Sequence, residues 1–295
     1  MKLILPKPGR YVVAVSGGLD SVCLLDLLAT RPGYELIVAH FDHGMRQGSK
    51  DDLKFVGHLA TQYGLPFVSS RVELGASASE ANARTMRYRF LHQTREQATA
   101  VAILTAHHQD DRLETLVINL IRGTGRHGVS SIGISKDIKR PLLNVSRKEL
   151  EAYATAHSLA WREDPTNDSD QYLRNYIRHH ILPKIPDSDK AELVQLMNRQ
   201  AELNAQIDSL ARRFIDQKDL SKLSLKALNQ LSFKESRDLV SVWLRLNELF
   251  SFNRTTIERL TVAAKTKRAG TLINVYGKTN AKVGKDFLAL YNTER

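Results

Sequence analysis

Ser16-Gly17-Gly18-Leu19-Asp20-Ser21 joins an apolar run, Tyr11 to Ser16, to a stretch of helical character that begins at about Asp20. Two adjacent glycines let a backbone come close to a ligand, and the two serines add hydroxyl donors. A helix starting at such a loop turns unpaired N–H groups and the positive end of its dipole toward an anion. The chemistry this suits is the holding of phosphate. The loop lacks the lysine and the longer spacing of a Walker A sequence, which argues against ordinary γ-phosphate transfer. A tight turn with capping serines is the alternative.

A second group, Ala106-His107-His108-Gln109-Asp110-Asp111-Arg112-Leu113-Glu114-Thr115, falls where another apolar run gives way to a helix. Asp110 and Glu114 stand four apart and share a helix face, with Asp111 beside them. Such carboxylates can hold magnesium, hold a cationic substrate or accept a proton. Hard oxygens favour Mg2+ over zinc, and no thiolate is at hand. An acidic first turn that complements the helix dipole is the plainer alternative.

Three further groups follow other apolar runs or lie on helices. In His40-Phe41-Asp42-His43-Gly44-Met45-Arg46, Phe41 and Met45 have the shape to wall an adenine, and His40 and His43 either bind a ligand or make structural hydrogen bonds. Arg84, Arg87 and Arg89 occupy successive turns of one helix, with reach to phosphate or a solvated face as the two options. Gly123-Thr124-Gly125-Arg126-His127-Gly128 fits the G-x-G-x-x-G dinucleotide pattern but follows a helix instead of a strand. It reads better as a loop in which Arg122, Arg126 and His127 meet an anionic substrate.

The elements that must position these groups alternate through the first half of the chain. Strands are expected at Tyr11–Ser16, Glu35–Phe41, Pro66–Val72, Val101–Ala106 and Pro141–Val145. Helices are expected from about Asp20 to Thr30, and over Ser49–Tyr63, Ser79–Gln97, Gln109–Arg122 and Ser146–His157, the last opened by a capping box of Ser146 and Glu149. This order implies an α/β, doubly wound, mostly parallel sheet. Beyond Pro183 the pattern turns helical and rich in Leu, Lys, Arg and Gln, and ends in β-branched and aromatic alternation around a Gly277-Lys278 turn, a small hairpin. Two domains are expected, 1–185 and 186–295, the second mainly helical with a terminal β element.

The 295 residues are 42% hydrophobic and 25% charged, the balance of an ordinary folded protein, and no apolar run is long enough to span a bilayer. Pro6 and Pro8 break any N-terminal signal pattern, so a cytoplasmic protein with no membrane partner is expected. A single cysteine, Cys23, excludes an internal disulfide framework and any cysteine-rich cluster from this chain, and it reads as core. The formal charge of +11 favours a polyanionic partner, with a solubilising surface as the alternative. Oligomeric state is left open, a homodimer included.

The phosphate loop resembles the PP-loop of N-type ATP pyrophosphatases, which bind ATP so that its α-phosphate is attacked and pyrophosphate leaves. The order of SGGLDS, HFDHGMR, EANAR, AHHQDDRLET, RGTGRHG and PLL, then Trp161 to Asn167 (WREDPTN) and Arg174 to Pro183 (RNYIRHHILP), is similar to the tRNA(Ile)-lysidine synthetase family over roughly the first 185 residues. The resemblance implies an adenine-nucleotide α-hydrolase-like fold. It implies an enzyme that adenylates the wobble cytidine of an isoleucine tRNA with a CAU anticodon and then lets free L-lysine displace AMP, giving lysidine.

On that reading Ser16, Gly17, Gly18, Leu19, Asp20, Ser21, His40, Phe41, Met45, Arg84 and His107 bind ATP, and Asp20 and Asp111 bind Mg2+. Asp20, Asp110, Asp111 and Glu114 are catalytic. Asp110, Glu114, Asp164 and Arg174 hold lysine, whose ε-amine needs a base to uncover it. Arg122, Arg126, Arg178, Lys265, Lys267 and Arg268 contact tRNA. The chain reads as a short form without the further terminal domain of longer family members. A PP-loop tRNA thiolase would need paired cysteines, a small-molecule amide-forming ligase would not need the basic second domain, and a non-enzymatic RNA binder would not need the intact loop.

Overall fold

The computed structural model describes residues 1–44, 49–73, 80–130, 132, 137–163, 172–216, 218–250, 252–266 and 268–292. The chain divides into two compact units, Met1–Thr124 with Gly128–Met197, and Gly125–His127 with Asn198–Arg295.

The first unit is built on five parallel strands, β1 (Gly9–Ala14), β2 (Tyr34–Asp42), β3 (Phe67–Arg71), β4 (Ala102–Leu104) and β5 (Ile138–Lys139), in the order β3-β2-β1-β4-β5. Tyr11, Val12 and Val13 of β1 are all buried, as a central parallel strand covered on both faces requires. Tyr11 and Val13 join a core with α1 (Leu19–Ala29), α2 (Ser49–Gln62) and α6 (Arg147–Ala156). Val12 turns the other way, to Leu91 of α3 (Glu80–Gln97). The chain leaves β1 toward β2 and leaves β4 toward β5, on the opposite side. The carboxyl ends of β1 and β4 therefore flank the point where the winding reverses, the place such sheets offer a ligand.

From β4 the chain enters α4 (Gln109–Ile121), followed by the single turn α5 (Arg126–Val129). Leu113 and Leu116 of α4 pack with Ile177 and Leu182, which lie beyond α7 (Leu173–Tyr176), and with Val194 and Met197 of α8 (Asp187–Arg212). Helix α7 runs on as a π turn over Ile177–Ile181, where the N–H of Leu182 reaches back to the carbonyl of Ile177. The expected fifth strand at Pro141–Val145 is displaced to Ile138–Lys139. Pro141 has no N–H for a ladder, and the residues after it form successive turns that bury Leu142 and Val145. The Ser146–Glu149 capping box at the start of α6 is formed on both sides.

In the second unit, α9 (Leu225–Gln230), α10 (Phe233–Leu246) and α11 (Arg254–Thr266) pack with a four-stranded antiparallel sheet, β6 (Lys222–Ser224), β9 (Phe287–Asn292), β8 (Thr279–Val283) and β7 (Leu272–Tyr276), in that order across the sheet. Trp243, fully buried, leads a core with Leu239, Leu260, Ile273, Ala281 and Leu288. The hairpin expected at Gly277-Lys278 is present, with Gly277 at φ +55°, and β9 and the three-residue β6 extend it.

Candidate active site

The loop after β1 is closed on itself by two hydroxyls, Ser16 Oγ accepting from the Gly18 N–H at 3.4 Å and Ser21 Oγ making the remaining bonds. Ser21 Oγ accepts from the backbone N–H groups of Ser16 and Gly17, each at 3.2 Å, and donates to the carbonyl of Gly18 at 2.9 Å. Gly17 has φ +94°, a conformation that selects glycine, while a Cβ there would meet Phe55 and Val56 at 3.4 Å, an ordinary contact. Gly18 is the N-cap of α1 without a side-chain cap, and the amides of Leu19 and Asp20 have no acceptor among the described residues. These N–H groups at a helix start are a ready anion seat. The segment that begins at Trp161 straps the loop: the Arg162 N–H donates to the Gly17 carbonyl at 3.0 Å, while its guanidinium pairs with the buried Asp52.

His108, buried at the N-cap of α4, joins this loop to the acidic helix. Its Nδ1 accepts from the Asp110 N–H at 3.3 Å, which leaves the hydrogen of the neutral ring on Nε2. That nitrogen lies 3.5 Å from Asp20 and 3.6 Å from Asp111. Burial disfavours a charged ring here, but the hydrogen bond to Asp20 and the charges of Asp111, Asp20 and Asp110 outweigh it and raise its pKa to about 9. The charged ring gives up the Nδ1 cap. Asp111 is held below the usual carboxylate range, because His108, His107 and Arg174 overcome the effect of burial. Arg147, at the start of α6, reaches Asp20 at 3.5 Å.

Glu114 is fully buried, and its two oxygens are taken by Arg174 and Arg178, one residue in α7 and one in the π turn, four apart in sequence and both with Nε at 2.6 Å. The same guanidiniums approach Asp111 at 3.6 Å. Glu114 is thus the anchor of two arginines, and Arg178, expected on tRNA, is directed inward. Asp110 differs. Burial raises its pKa, and no hydrogen bond or ion pair of its carboxylate is found among the described residues.

A group of cations gathers near His107. Arg84 and Arg87 of α3 place their guanidinium carbons 4.9 and 5.3 Å from the ring centre of Tyr88. With Arg140, which follows β5, they act on His107, whose Nδ1 is 2.9 Å from Thr105 Oγ1. Burial first, and then these cations, lower His107 to about 4 in spite of Asp111. His107 is therefore neutral at physiological pH.

Other expected residues fall elsewhere. His40 is buried and bonds the Val15 carbonyl at 2.9 Å, a role inside the sheet. Phe41 packs against Phe90 and His43. Lys265 donates to the carbonyls of Leu228 and Leu231 at 2.6 and 2.7 Å, closing the end of α9, and Arg126 is held by Asp208 and Asp238. Arg122 and Arg268 are exposed. Met45, Asp164 and Lys267 lie outside the described residues. Sequence reasoning passed over Arg140 and Arg147, although Arg140 directly follows β5 and Arg147 is the first residue of α6. It read Cys23 as core, and the thiol is buried with its pKa pushed up to about 12, by burial first and then by Asp20 and Asp26.

Among the described residues no group of three or more His, Cys, Asp or Glu side chains has metal-binding geometry. Asp20 and Asp111 nevertheless each place a hard carboxylate oxygen within 3.6 Å of the same atom, His108 Nε2. One or two carboxylates is the number Mg2+ takes when substrate phosphates and water complete its shell, so this donor set fits it. No helix among the described residues is long and apolar enough to cross a membrane.

Residues 2–185 match the PP-loop domain family. The chain is 38% identical over 196 residues to the tRNA(Ile)-lysidine synthase of Solibacter usitatus, covering 65% of this chain and 44% of that protein. It is 41% identical over 211 residues to that of Thermus thermophilus, covering 68% and 40%. The Petrotoga mobilis synthase is 31% identical over 233 residues, 76% of this chain and 75% of that one. The chain thus spans less than half the length of the first two relatives. Among solved structures, the U34-tRNA thiolase NcsA of Methanococcus maripaludis with its [4Fe-4S] cluster superposes with a TM-score of 0.53 at 18% identity, covering 68% of this chain and 74% of that one, a likeness of fold.

Proposed function

Since the chain belongs to the tRNA(Ile)-lysidine synthase family, we propose that it uses ATP to join L-lysine to C2 of the wobble cytidine in the CAU anticodon of isoleucine tRNA, in the cytoplasm. The observation that carries the proposal is the meeting of the phosphate loop and the acidic helix on one nitrogen: Asp20 and Asp111, from either side of the switch point, both face His108 Nε2. A loop made for phosphate and a helix with a carboxylate to spare suit a reaction that first activates one substrate with ATP and then admits an amine.

In the first step the cytidine O2 attacks the α-phosphorus and pyrophosphate leaves. The N–H groups at the start of α1 and the hydroxyls of Ser16 and Ser21 receive the phosphates, Ser21 exchanging its bonds within the loop for bonds to ligand. Arg84, in the group of cations near His107, suits the negative charge that develops during departure of pyrophosphate. Mg2+, held by Asp20 and Asp111, would screen the phosphate charge. The base O2 is a poor leaving group, and carrying AMP makes it a good one.

In the second step the lysine ε-amine attacks C2, and AMP departs with the oxygen. The amine arrives as an ammonium and has to lose a proton. Asp110 is the carboxylate suited to steer it and take that proton, because its charge is not spent on a guanidinium and its pKa is raised. Glu114 serves by fixing Arg174 and Arg178, and Arg174 lies toward Asp111, where a lysine carboxylate can meet it. Arg122 and Arg268 are left as RNA contacts on the surface. Cys23 is in no state to carry persulfide sulfur, which sets the thiolase chemistry aside.

Pyrophosphate release from labelled ATP tests the proposal, with and without isoleucine tRNA and with and without lysine. Release that requires the tRNA, and a lysidine product that requires lysine, are expected. Release that ignores tRNA would count against the first step, and an adenylated tRNA that never accepts lysine against the second.

A further inference from the structure

We propose that the outer face of the β6-β9-β8-β7 sheet is a stacking platform for unpaired RNA bases. The inner face of this sheet, with Leu223, Ile273, Val275, Ala281, Val283 and Leu288, is buried in the core of the second unit. On the outer face Ala289 and Tyr291 are half-buried, and the large side chains around them are more open. Leu272 is 61% exposed, Tyr276 57% and Phe287 42%. Large apolar side chains on an open sheet face are unfavourable in water unless something covers them in use.

The arrangement of this face says what. Along β9, Phe287, Ala289 and Tyr291 point outward at alternate positions. Ala289, the small residue between the two rings, has Lys222 opposite it on β6 and Lys282 opposite it on β8. Two aromatic rings are thus set along a strand with an ammonium group on each side of the gap. Next to Phe287, the turn before β9 and the start of α9 enclose a notch of about 570 Å³, whose rim includes Lys226, Asn229 and Lys285. Residues 198–295 hold 18 lysines and arginines against 10 aspartates and glutamates. Lys222 pairs with Asp219 at 2.8 Å, but both groups are half exposed and such a pair yields readily to phosphate.

Rings interleaved with lysines fit single-stranded nucleic acid, in which each base offers a flat face and each linkage a negative charge. A second copy of this chain fits poorly, because pairing the face with itself brings lysines against lysines. Unpaired bases within a tRNA loop are the natural occupant. That choice of RNA rests on the reading of the chain as a lysidine-forming enzyme; the character of the surface does not.

The test is the affinity of the full chain for three labelled probes: an anticodon stem-loop with a CAU loop, a 20-nucleotide single strand and a blunt RNA duplex. Phe287→Ala should weaken binding of the first two about tenfold, the scale of one lost base stack, and leave the duplex little changed. Phe287→Trp should restore it. Lys282→Glu should weaken binding and make it less dependent on salt. All three should keep the melting temperature and the affinity for a fluorescent ATP analogue. Unchanged RNA affinity in both Phe287→Ala and Lys282→Glu overturns the platform, as does a loss explained by dissociation of a dimer in sedimentation. RNA binding that depends on Phe287 in a chain that forms no lysidine would sink the functional reading alone. Lysidine formation with RNA affinity indifferent to Phe287 would sink this inference alone.

Discussion

Glu114 and Arg174 meet at 2.6 Å on the wall of the site, the carboxylate fully buried and the guanidinium one-third exposed. Arg178 takes the other carboxylate oxygen from the next turn. Removing the anion leaves two guanidiniums facing each other with their partner gone. Glu114→Ala should therefore lower stability to urea by about 2–4 kcal/mol, and disorder of Arg174 should weaken lysine use while ATP affinity stays within about twofold. A variant as stable as the parent, with normal lysidine yield at limiting lysine, would show that the clamp does nothing.

Asp20 sits at the start of α1, within reach of His108 and Arg147 and 28% exposed to incoming ligand. It is not part of the core. Asp20→Ala should reduce tRNA-dependent pyrophosphate release by on the order of 10²-fold or more, with an unchanged circular dichroism spectrum. Undiminished release would remove Asp20 from the mechanism.

His107 titrates near 4 in the folded chain and near 6.5 when unfolded. Between those values the unfolded chain binds the extra proton, so the contribution is fully present above pH 6.5 and is lost as pH falls toward 4. The loss amounts to at most about 3 kcal/mol. Urea unfolding at pH 7 and pH 5 should show this slope in the parent and a flatter one in His107→Asn. Equal slopes would mean that the ring is not held neutral by its surroundings.

Lys265 spends its ammonium on two carbonyls at the end of α9. Lys265→Met should cost about 1–3 kcal/mol and leave tRNA affinity unchanged. Arg268→Ala should do the reverse, since that side chain is exposed. Measuring melting and filter binding on both separates structure from recognition. Weaker RNA binding by Lys265→Met at full stability would return the lysine to the RNA interface.

What the sequence determined by itself was the set of local decisions. The run Tyr11–Ser16 read as a buried strand, and the glycines with serines after it as a turn suited to an anion, so the loop and its helix were legible within a residue or two. The Ser146 capping box and the Gly277-Lys278 turn were legible for the same reason, that their hydrogen bonds and backbone angles close within a few residues. Three-residue β6 carries too little periodicity to be seen, and Pro141 pushed β5 back by three residues.

What only the tertiary structure decided was which charges are spent. Asp110 and Glu114 stand on neighbouring turns of α4 and look equivalent in the chain, yet one keeps its carboxylate and the other gives both oxygens to arginines about sixty residues away. Lys265 and Arg268 are alike in sequence, and one is consumed by a helix end while the other is not. Ionic partners are chosen by distance in space, and a charge in the sequence becomes a ligand contact or a structural clamp only when the fold has placed its nearest opposite.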